Sequence, residues 1–285
     1  MTDRYLMCAP DFFEVAYVIN PWMAGNVAAS RNDLARRQWQ ALADAIGDVA
    51  QVDTIAAQPG VPDMVFTANA GLVLGNTFVL SHFRHAERQG EEPFFADWFA
   101  KQGFKVVTLA PELSFEGAGD ALLDRHEQLL WLGYGHRSDP QCAPVISGLL
   151  DIDVEPLKLV DERFYHLDTC FCPLEGGYLM YYPAAFDDAS QARIAARVPA
   201  TRRIVVSDDD AIAFACNAVN SGRHVFLNAA STELVLALQS RGFSVKQTPL
   251  TEFMKAGGSA KCLTLKLNEL QRIATGGQPV RRVAA

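Results

Sequence analysis

Three short segments of the chain carry side chains with reactive chemistry. Cys262 ends the glycine-rich segment 257–262, His166 and Asp168 stand two residues apart, and Glu116 precedes a stretch that contains two glycines. A thiol, an imidazole and carboxylates are the components of an enzyme that works through a covalent thiol intermediate. Because a soft nucleophile among several carboxylates suits a cationic electrophile, these residues predict chemistry on a group such as guanidinium.

Each of these residues also has an ordinary structural interpretation. A lone His-x-Asp is most often a hydrogen-bonded histidine at a sheet edge, and a free cysteine is most often a small buried hydrophobe. If 165–172 is a strand, His166 and Asp168 share one face with Cys170, and burying them there is costly without partners. Only the combination with the other segments favours chemistry over structure.

A fourth polar segment runs from Asp63 to Asn69. The even spacing predicts that an extended segment would place both side chains on one face, with Phe66 as an aromatic wall beside them. The alternative is an ordinary transition from a loop to a strand.

The residues around Cys262 predict its local structure. The alternating segment 263–267 is typical of a strand, so the thiol is expected where a loop enters that strand. Lys261 is then an adjacent strand residue that points away from the thiol, and we do not expect it to lower the thiol pKa.

The elements that must position these residues recur along the chain. Two apolar runs flank a turn dipeptide at 72–80 and again at 218–227, and an amphipathic helix followed by a strand comes after each pair. The repeating unit is strand, strand, helix, strand, recurring roughly every 40 to 60 residues. Five such units fill the chain, and closing them into a ring would bury every internal strand.

The ends of the chain predict one domain and a tail. The first helix is expected from Ser30, as its N-cap, to Ile46, with Ala35, Trp39 and Leu42 on the buried face. Residues 1–273 are predicted to form a single α/β domain. Residues 274–285 are rich in Gly, Pro and Arg and are predicted to be a C-terminal tail.

The composition of the chain limits the kinds of partner that it can bind. A formal charge of −8 argues against nucleic acid and anionic membranes, and no run of apolar residues is long enough to span a bilayer. Six cysteines in 285 residues do not form a disulfide framework, so a cytoplasmic location is expected. The proposed chemistry needs no cofactor and no metal, and the sequence leaves the formation of homo-oligomers open.

Taken in order, the motifs resemble those of the guanidino-group-modifying enzymes, which include arginine deiminases, dimethylargininases, amidinotransferases and arginine dihydrolases. The resemblance extends from about residue 8 to residue 267 and implies the pentein fold, a five-bladed α/β propeller. It also implies roles for individual residues. Cys262 would be the nucleophile, His166 the general acid/base, and Glu116, Asp168 and Asp63 ligands of the substrate guanidinium, while Arg88 and Arg137 would hold its α-carboxylate.

Two asparagines make the chain most similar to the arginine dihydrolase branch. Asn69 stands where deiminases and dimethylargininases have an aspartate, and Asn20 is the second asparagine of the dihydrolase pattern. The resemblance therefore implies hydrolysis of L-arginine to ornithine, ammonia and carbon dioxide. The alternatives are a deiminase or dimethylargininase that stops at citrulline and a non-catalytic binding module on the same fold.

Overall fold

The computed structural model describes residues 2–269, whose strands form five three-stranded sheets. In every sheet the first strand pairs antiparallel with the second, and the second pairs parallel with the third. The first strands are Gly71–Leu74, Ala121–Leu123, Phe171–Leu174, Val219–Ser221 and Leu265–Lys266. The second strands are Thr77–Leu80, Leu129–Tyr134, Tyr178–Tyr181, His224–Leu227 and Arg4–Cys8. The third strands are Lys105–Val107, Asp153–Lys158, Arg203–Val205, Ser244–Gln247 and Gln51–Ile55.

A helix connects the second strand to the third in every sheet. These helices are Glu92–Lys101, Cys142–Leu150, Asp188–Arg197, Thr232–Gln239 and Asn32–Gly47. Shorter α-helical turns lie at Ala86–Gln89, Gly117–Asp120, Asp208–Ile212 and Thr251–Met254. Single 3-10 turns lie at Pro21–Met23, Pro62–Val65, Thr67–Ala70, Glu162–Phe164, Leu167–Thr169, Pro183–Ala185 and Ala200–Arg202.

The five sheets surround one axis. Residues of all five first strands line a common axial cavity of about 40 Å³. The fifth sheet joins the two ends of the described chain, because Tyr5 lies opposite Lys266 and Leu6 opposite Leu265 in an antiparallel pair. The predicted five-bladed α/β propeller is confirmed. The predicted tail, 274–285, lies outside the described residues.

The first helix differs from its prediction at its start. It begins at Asn32, and its N-cap, Arg31, makes no side-chain capping bond. Ser30 does not cap it, because the Ser30 Oγ accepts a hydrogen bond from the Val15 amide at 3.1 Å. The predicted apolar face is buried, as the exposures of its residues show: Ala35 0%, Trp39 8%, Leu42 0% and Ile46 0%.

Helical turns replace the extended segments that the sequence predicted around the reactive residues. His166 precedes the 3-10 turn Leu167–Thr169, so the predicted strand 165–172 is replaced by a turn, and the observed strand begins only at Phe171. The polar side chains here bond the backbone and favour a turn: Thr169 Oγ1 donates to the His166 carbonyl at 2.6 Å. Asp63 and Asn69 likewise lie in 3-10 turns instead of an extended segment.

Cys262 also lies in a turn, and the strand that follows it is shorter than predicted, Leu265–Lys266. Turns of this kind precede the first strands of the sheets, at the same end of the propeller axis. Side chains that are far apart in sequence therefore meet at that end. No helix of residues 2–269 is both long and apolar enough to cross a membrane.

Candidate active site

A small cavity of about 10 Å³ lies among these turns. Seven of the ten predicted site residues line it, together with Ile19, Met23, Tyr165, Ala256 and Gly258. The seven are Asn20, Asp63, Phe66, Asn69, Arg88, Arg137 and Cys262. The other three are buried behind them: Glu116 bonds Asn69 and Arg137, Asp168 bonds Cys262, and His166 bonds Glu116. The structure thus brings all ten predicted residues together.

Cys262 is buried and bonds to two side chains. Its Sγ lies 3.4 Å from Asp168 Oδ2 and 3.7 Å from Oδ1, and Asn217 Nδ2 donates to the Sγ at 3.0 Å. Burial and then the Asp168 carboxylate raise the thiol pKa well above its usual value, while bonds from the Ser259 backbone and Asn217 act against this rise. The thiol is therefore protonated in the resting state, and a cation placed beside it would promote its ionisation.

Asp168 is a carboxylate held near its point of titration. Burial raises its pKa to about 7, against the opposing effects of the Lys261 ammonium and of hydrogen bonds from Cys262 and Asn217. The side chain of Lys261 lines the axial cavity and that of Cys262 the small cavity, so the prediction that the two point apart is confirmed. Lys261 thus acts on Asp168 from the far side.

Glu116 and His166 form a separate buried pair. His166 Nε2 lies 2.7 Å from Glu116 Oε2, which also accepts from Arg137 Nη1 at 3.1 Å. Burial alone would raise the pKa of Glu116, but Arg137 and the bond from His166 hold it well below its usual range. Because an ionised carboxylate only accepts hydrogen bonds, the tautomer that fits this contact has its proton on Nε2.

This arrangement favours a different role for Glu116 from the predicted one. Its oxygens bond His166, Arg137 and the Arg84 amide, and it is absent from the cavity wall. Glu116 is placed to orient the histidine, whereas Asp63 is placed to meet a cation. Asp63 Oδ2 accepts from Tyr17 at 2.9 Å, and its buried Oδ1 has no hydrogen-bond partner among residues 2–269.

Asn69 has a fixed orientation. Its Oδ1 accepts from Arg88 Nη1 at 3.0 Å, so its Nδ2 faces the Glu116 carbonyl, 3.4 Å away. A Cβ at position 119 would collide with this Nδ2, so the close approach of the two segments requires Gly119. Asn69 therefore lines the cavity with its amide held between Arg88 and the Glu116 carbonyl.

Arg88 is more deeply engaged than a residue that only holds a carboxylate. Its guanidinium forms a two-pronged ion pair with Glu91, at 2.7 and 2.8 Å, and bonds the Asp63 carbonyl at 3.1 Å. It also lies over the Phe83 ring. Both predicted arginines are 3% exposed, so neither is an ordinary surface residue. Contact of Arg88 with an α-carboxylate stays a prediction.

Arg137 separates the small cavity from an outer vestibule of about 460 Å³. Besides its ion pair with Glu116, it donates to the Ile19 carbonyl at 2.8 Å and lies over the Tyr165 ring. Asn20, Ile19 and Tyr165 also line both spaces. Asn20 caps the turn Pro21–Met23 and bonds the Ala256 carbonyl at 3.0 Å. Because the small cavity has room for about one water molecule, a guanidinium can enter it only if the side chains between the two spaces move.

Phe66 forms the predicted aromatic wall. Its ring packs edge-on against Phe13 and Phe253, with centroids 5.9 and 6.4 Å away. A Cβ at position 258 would collide with the Phe66 ring, so Gly258 lets the loop that carries Cys262 pack against it.

Two buried residues were missed by the sequence interpretation. Asn217 contacts the Cys262 sulfur directly, and Asp120 bonds the Leu167 amide at 3.0 Å and Ser138 Oγ at 2.7 Å. Ser138 in turn accepts from the Glu116 amide. The signal for Asn217 was the repeat itself, because it precedes its first strand by two residues, as Asn69 does.

Comparison with known proteins agrees with this geometry. The sequence profile described as "N,N dimethylarginine dimethylhydrolase, eukaryotic" matches residues 23–269. The chain is 39% identical over 269 residues to the N(G),N(G)-dimethylarginine dimethylaminohydrolase of Mycobacterium tuberculosis, covering 94% of this chain and 86% of that protein.

The bifunctional arginine dihydrolase/ornithine cyclodeaminase AgrE of Nostoc sp. is more similar, at 56% identity over 266 residues. This match covers 93% of the chain but 38% of AgrE, so the chain spans well under half the length of that relative. The solved N-terminal domain of ArgZ, described as a cyanobacterial arginine dihydrolase bound to substrate, superposes with a TM-score of 0.94 at 54% identity, covering 95% of this chain and all of that domain. The chain belongs to the N,N-dimethylarginine dimethylhydrolase family of guanidino-group-modifying enzymes.

Proposed function

We propose that residues 1–273 form one catalytic domain that hydrolyses L-arginine to ornithine, ammonia and carbon dioxide. The observation that carries this proposal is the buried Asp63 Oδ1, without a partner among the described residues, in the same small cavity as the Cys262 thiol. A buried carboxylate oxygen needs a donor, and a guanidinium supplies one while presenting its carbon to sulfur. The 56% identity to AgrE and the substrate-bound ArgZ domain support arginine as the substrate.

The first half of the reaction uses the substrate's own charge. The guanidinium binds between Asp63 and Asp168, and its positive charge promotes transfer of the Cys262 proton to His166. The thiolate attacks the guanidinium carbon, and His166 protonates the departing ammonia, leaving a thiouronium on sulfur. Water then adds to that carbon with His166 as base, and the thiolate leaves, which releases citrulline into the cavity.

The second half repeats the attack on citrulline. The thiolate adds to the ureido carbonyl carbon, and the amine leaves as ornithine with a proton supplied by His166. The S-carbamoyl group left on Cys262 is hydrolysed to carbamate, which decomposes to ammonia and carbon dioxide. Two waters are consumed and two molecules of ammonia are formed for each arginine.

Asn69 is the residue we expect to retain citrulline. Its Nδ2 can donate to the ureido oxygen, whereas a carboxylate there would repel that oxygen. An aspartate would also pair with Arg88, which now donates to the Asn69 Oδ1. Asn69→Asp is therefore expected to convert arginine to citrulline with little ornithine. If this variant made ornithine as the parent does, with no citrulline build-up, Asn69 would not have this role.

A dimethylargininase is the second candidate, because the family profile and the Mycobacterium tuberculosis relative both carry that description. Against it stands the geometry around Asn69, since dimethylargininases typically have an aspartate there. A methylated substrate also needs apolar room beside the guanidinium. Phe66 and Met23 are the large apolar side chains of the cavity that could provide it.

One incubation distinguishes these functions. The purified protein is given arginine or dimethylarginine at equal concentration, and citrulline, ornithine, ammonia and dimethylamine are quantified. We expect one ornithine and two ammonia per arginine consumed, with Cys262→Ser as the inactive control. Citrulline as the final product, or preferential consumption of dimethylarginine, would contradict the proposal.

A further inference from the structure

Asn217 clamps the nucleophile through three hydrogen bonds. Its Nδ2 donates to the Asp168 carbonyl at 3.0 Å and to Cys262 Sγ at 3.0 Å, and its Oδ1 accepts from the Cys262 amide at 3.2 Å. The residue is fully buried. The two backbone partners fix which end of the amide is which, because a carbonyl requires a donor and an amide N–H requires an acceptor. The second Nδ2 hydrogen therefore points at sulfur.

This contact matters because the surroundings of Cys262 otherwise oppose a thiolate. The site is buried, and the Asp168 carboxylate lies 3.4 Å from the sulfur. Among residues 2–269, Asn217 is the one side chain that donates a hydrogen bond to the sulfur. A donor to a charged acceptor is worth more than a bond between neutral groups.

The two halves of the proposed reaction differ in what helps the thiol to ionise. Arginine brings a positive charge to the sulfur, which favours the thiolate. Citrulline is neutral and brings none. During the second attack the thiolate must be stabilised by fixed protein groups.

We propose that Asn217 stabilises and positions the Cys262 thiolate and that it is needed mainly for the attack on citrulline. This inference rests on the proposed function and deepens it, by assigning the second step to a residue that does not line the substrate cavity. Asn69 and Asn217 then divide the work: Asn69 holds the neutral substrate, and Asn217 holds the nucleophile.

The chain contains a matched control for this amide. Asn228 Nδ2 donates to the Ala213 carbonyl at 2.9 Å and to Met254 Sδ at 3.2 Å, and its Oδ1 accepts from the Leu250 amide at 2.7 Å. It makes the same three kinds of bond, to a methionine outside the cavity instead of the nucleophile. Asn228→Ala therefore reproduces the structural loss of Asn217→Ala without touching the thiol.

The test compares these two variants in two assays. The first measures the rate of Cys262 alkylation by iodoacetamide against pH without substrate, read by peptide mass spectrometry. Because loss of the donor raises the thiol pKa, the rise in rate is expected at higher pH in Asn217→Ala and at the parent pH in Asn228→Ala. An unchanged profile in Asn217→Ala would overturn the proposal.

The second assay measures kcat/KM with arginine and with citrulline supplied separately. In Asn217→Ala we expect kcat/KM for citrulline to fall by about 10- to 100-fold, which corresponds to one hydrogen bond to a charged group. We expect kcat/KM for arginine to fall clearly less. Equal losses for the two substrates would overturn it. If Asn217→Ala does not fold, Asn217→Leu takes its place, since it keeps the side-chain size, removes the donor and adds no charge beside the sulfur.

The two proposals fail in different ways. If the parent protein releases no ornithine from arginine, the dihydrolase function is wrong. The alkylation profiles need no substrate and still decide whether Asn217 stabilises the thiolate.

Discussion

The two ends of the propeller axis use buried charge in opposite ways. At the axial cavity, Arg125 pairs with Glu269 at 2.7 Å and Lys266 with Asp3 at 2.8 Å. At the small cavity, the Asp63 carboxylate keeps one buried oxygen without a partner among the described residues. Fixed partners offset the cost of burying a charge. Arg88 and Arg137 of the small cavity have such partners too, in Glu91 and Glu116. Asp63 is the carboxylate left there to meet the proposed cationic ligand.

Lys261 connects the two ends. Its Nζ lies 3.4 Å from the Ala118 carbonyl and 3.5 Å from that of Thr264, and its side chain lines the axial cavity. Its charge nevertheless acts on Asp168 at the other end. The far end is therefore not only structural, because it supplies a positive charge behind a carboxylate of the site.

Substitutions of two glutamates, the buried Glu116 and the half-buried Glu269, should give the largest difference between the two ends. Glu116→Gln removes the carboxylate that orients His166, and kcat is expected to fall by about 10²- to 10⁴-fold. It also leaves Arg137 without its ion pair, at a cost of about 3–5 kcal/mol in the free energy of unfolding. Glu269→Gln should lower the melting temperature in the same direction, because Arg125 loses its partner, while kcat of the folded protein stays near the parent value.

Steady-state kinetics and thermal melts of the two glutamine variants check this pair. A kcat for Glu116→Gln within threefold, on the order of 0.7 kcal/mol, of the parent value would remove Glu116 from the catalytic machinery. An equally large loss in Glu269→Gln would erase the contrast between the two ends.

Two aspartates should change stability in opposite directions. Burial raises the pKa of Asp63, which means that folding disfavours its ionised form. Asp63→Asn is therefore expected to raise the melting temperature while raising KM for arginine by about 10- to 100-fold, since a bond to the guanidinium is lost. Asp3→Asn loses its bonds to Lys266 and Ser221 and should lower the melting temperature with KM unchanged.

Thermal melts and KM values for both asparagine variants provide the measurement. A lower melting temperature in Asp63→Asn would mean that a partner already satisfies this carboxylate.

Substitutions of two lysines of the axial cavity, Lys261 and Lys266, should give the smallest difference in activity. Asp168, with a pKa of about 7, binds a cation only when ionised, so kcat/KM for arginine should fall as the pH drops through about 7. Lys261→Met removes the charge that most lowers this pKa, so the fall should begin at higher pH and activity at pH 7 should drop several-fold. Lys266→Met, whose ammonium pairs with Asp3, should leave the profile in place.

Profiles of kcat/KM against pH for the two methionine variants are the measurement. Because Asp168 and Cys262 share a hydrogen bond, the fall of kcat/KM at low pH reports the titration of the two groups together. Identical profiles in both variants would mean that Lys261 does not act across the axis.

The repeating pattern of the sequence was sufficient to predict the fold. The strand pair Gly71–Leu74 and Thr77–Leu80 carries its own turn dipeptide, and the first helix has its own apolar stripe at Trp39 and Leu42, so local signals agree with the overall arrangement. The resemblance of the ordered motifs to the guanidino-group-modifying enzymes implied which side chains meet. In the structure Asn69, His166 and Cys262 each lie shortly before the first strand of a sheet.

The local conformation of the site was not predictable in the same way. The turn at 167–169 is favoured by a side chain that bonds the local backbone, Thr169, and such a bond overrides an alternating pattern. At 67–70 the side chains of Thr67 and Asn69 bond distant carbonyls, those of Leu6 and Glu116. Asn217 follows Ala215-Cys216, a stretch without any motif. Its contact with the sulfur joins the turns before two successive sheets, 45 residues apart in sequence.

The central claim is that Cys262 attacks the same substrate twice. It is tested most directly by mixing excess protein with arginine labelled at the guanidino carbon, quenching over time, and separating citrulline, ornithine and labelled carbon dioxide. The account predicts that citrulline appears first and then decays, while ornithine and labelled carbon dioxide rise together after it. Citrulline that accumulates to one equivalent and persists would contradict it.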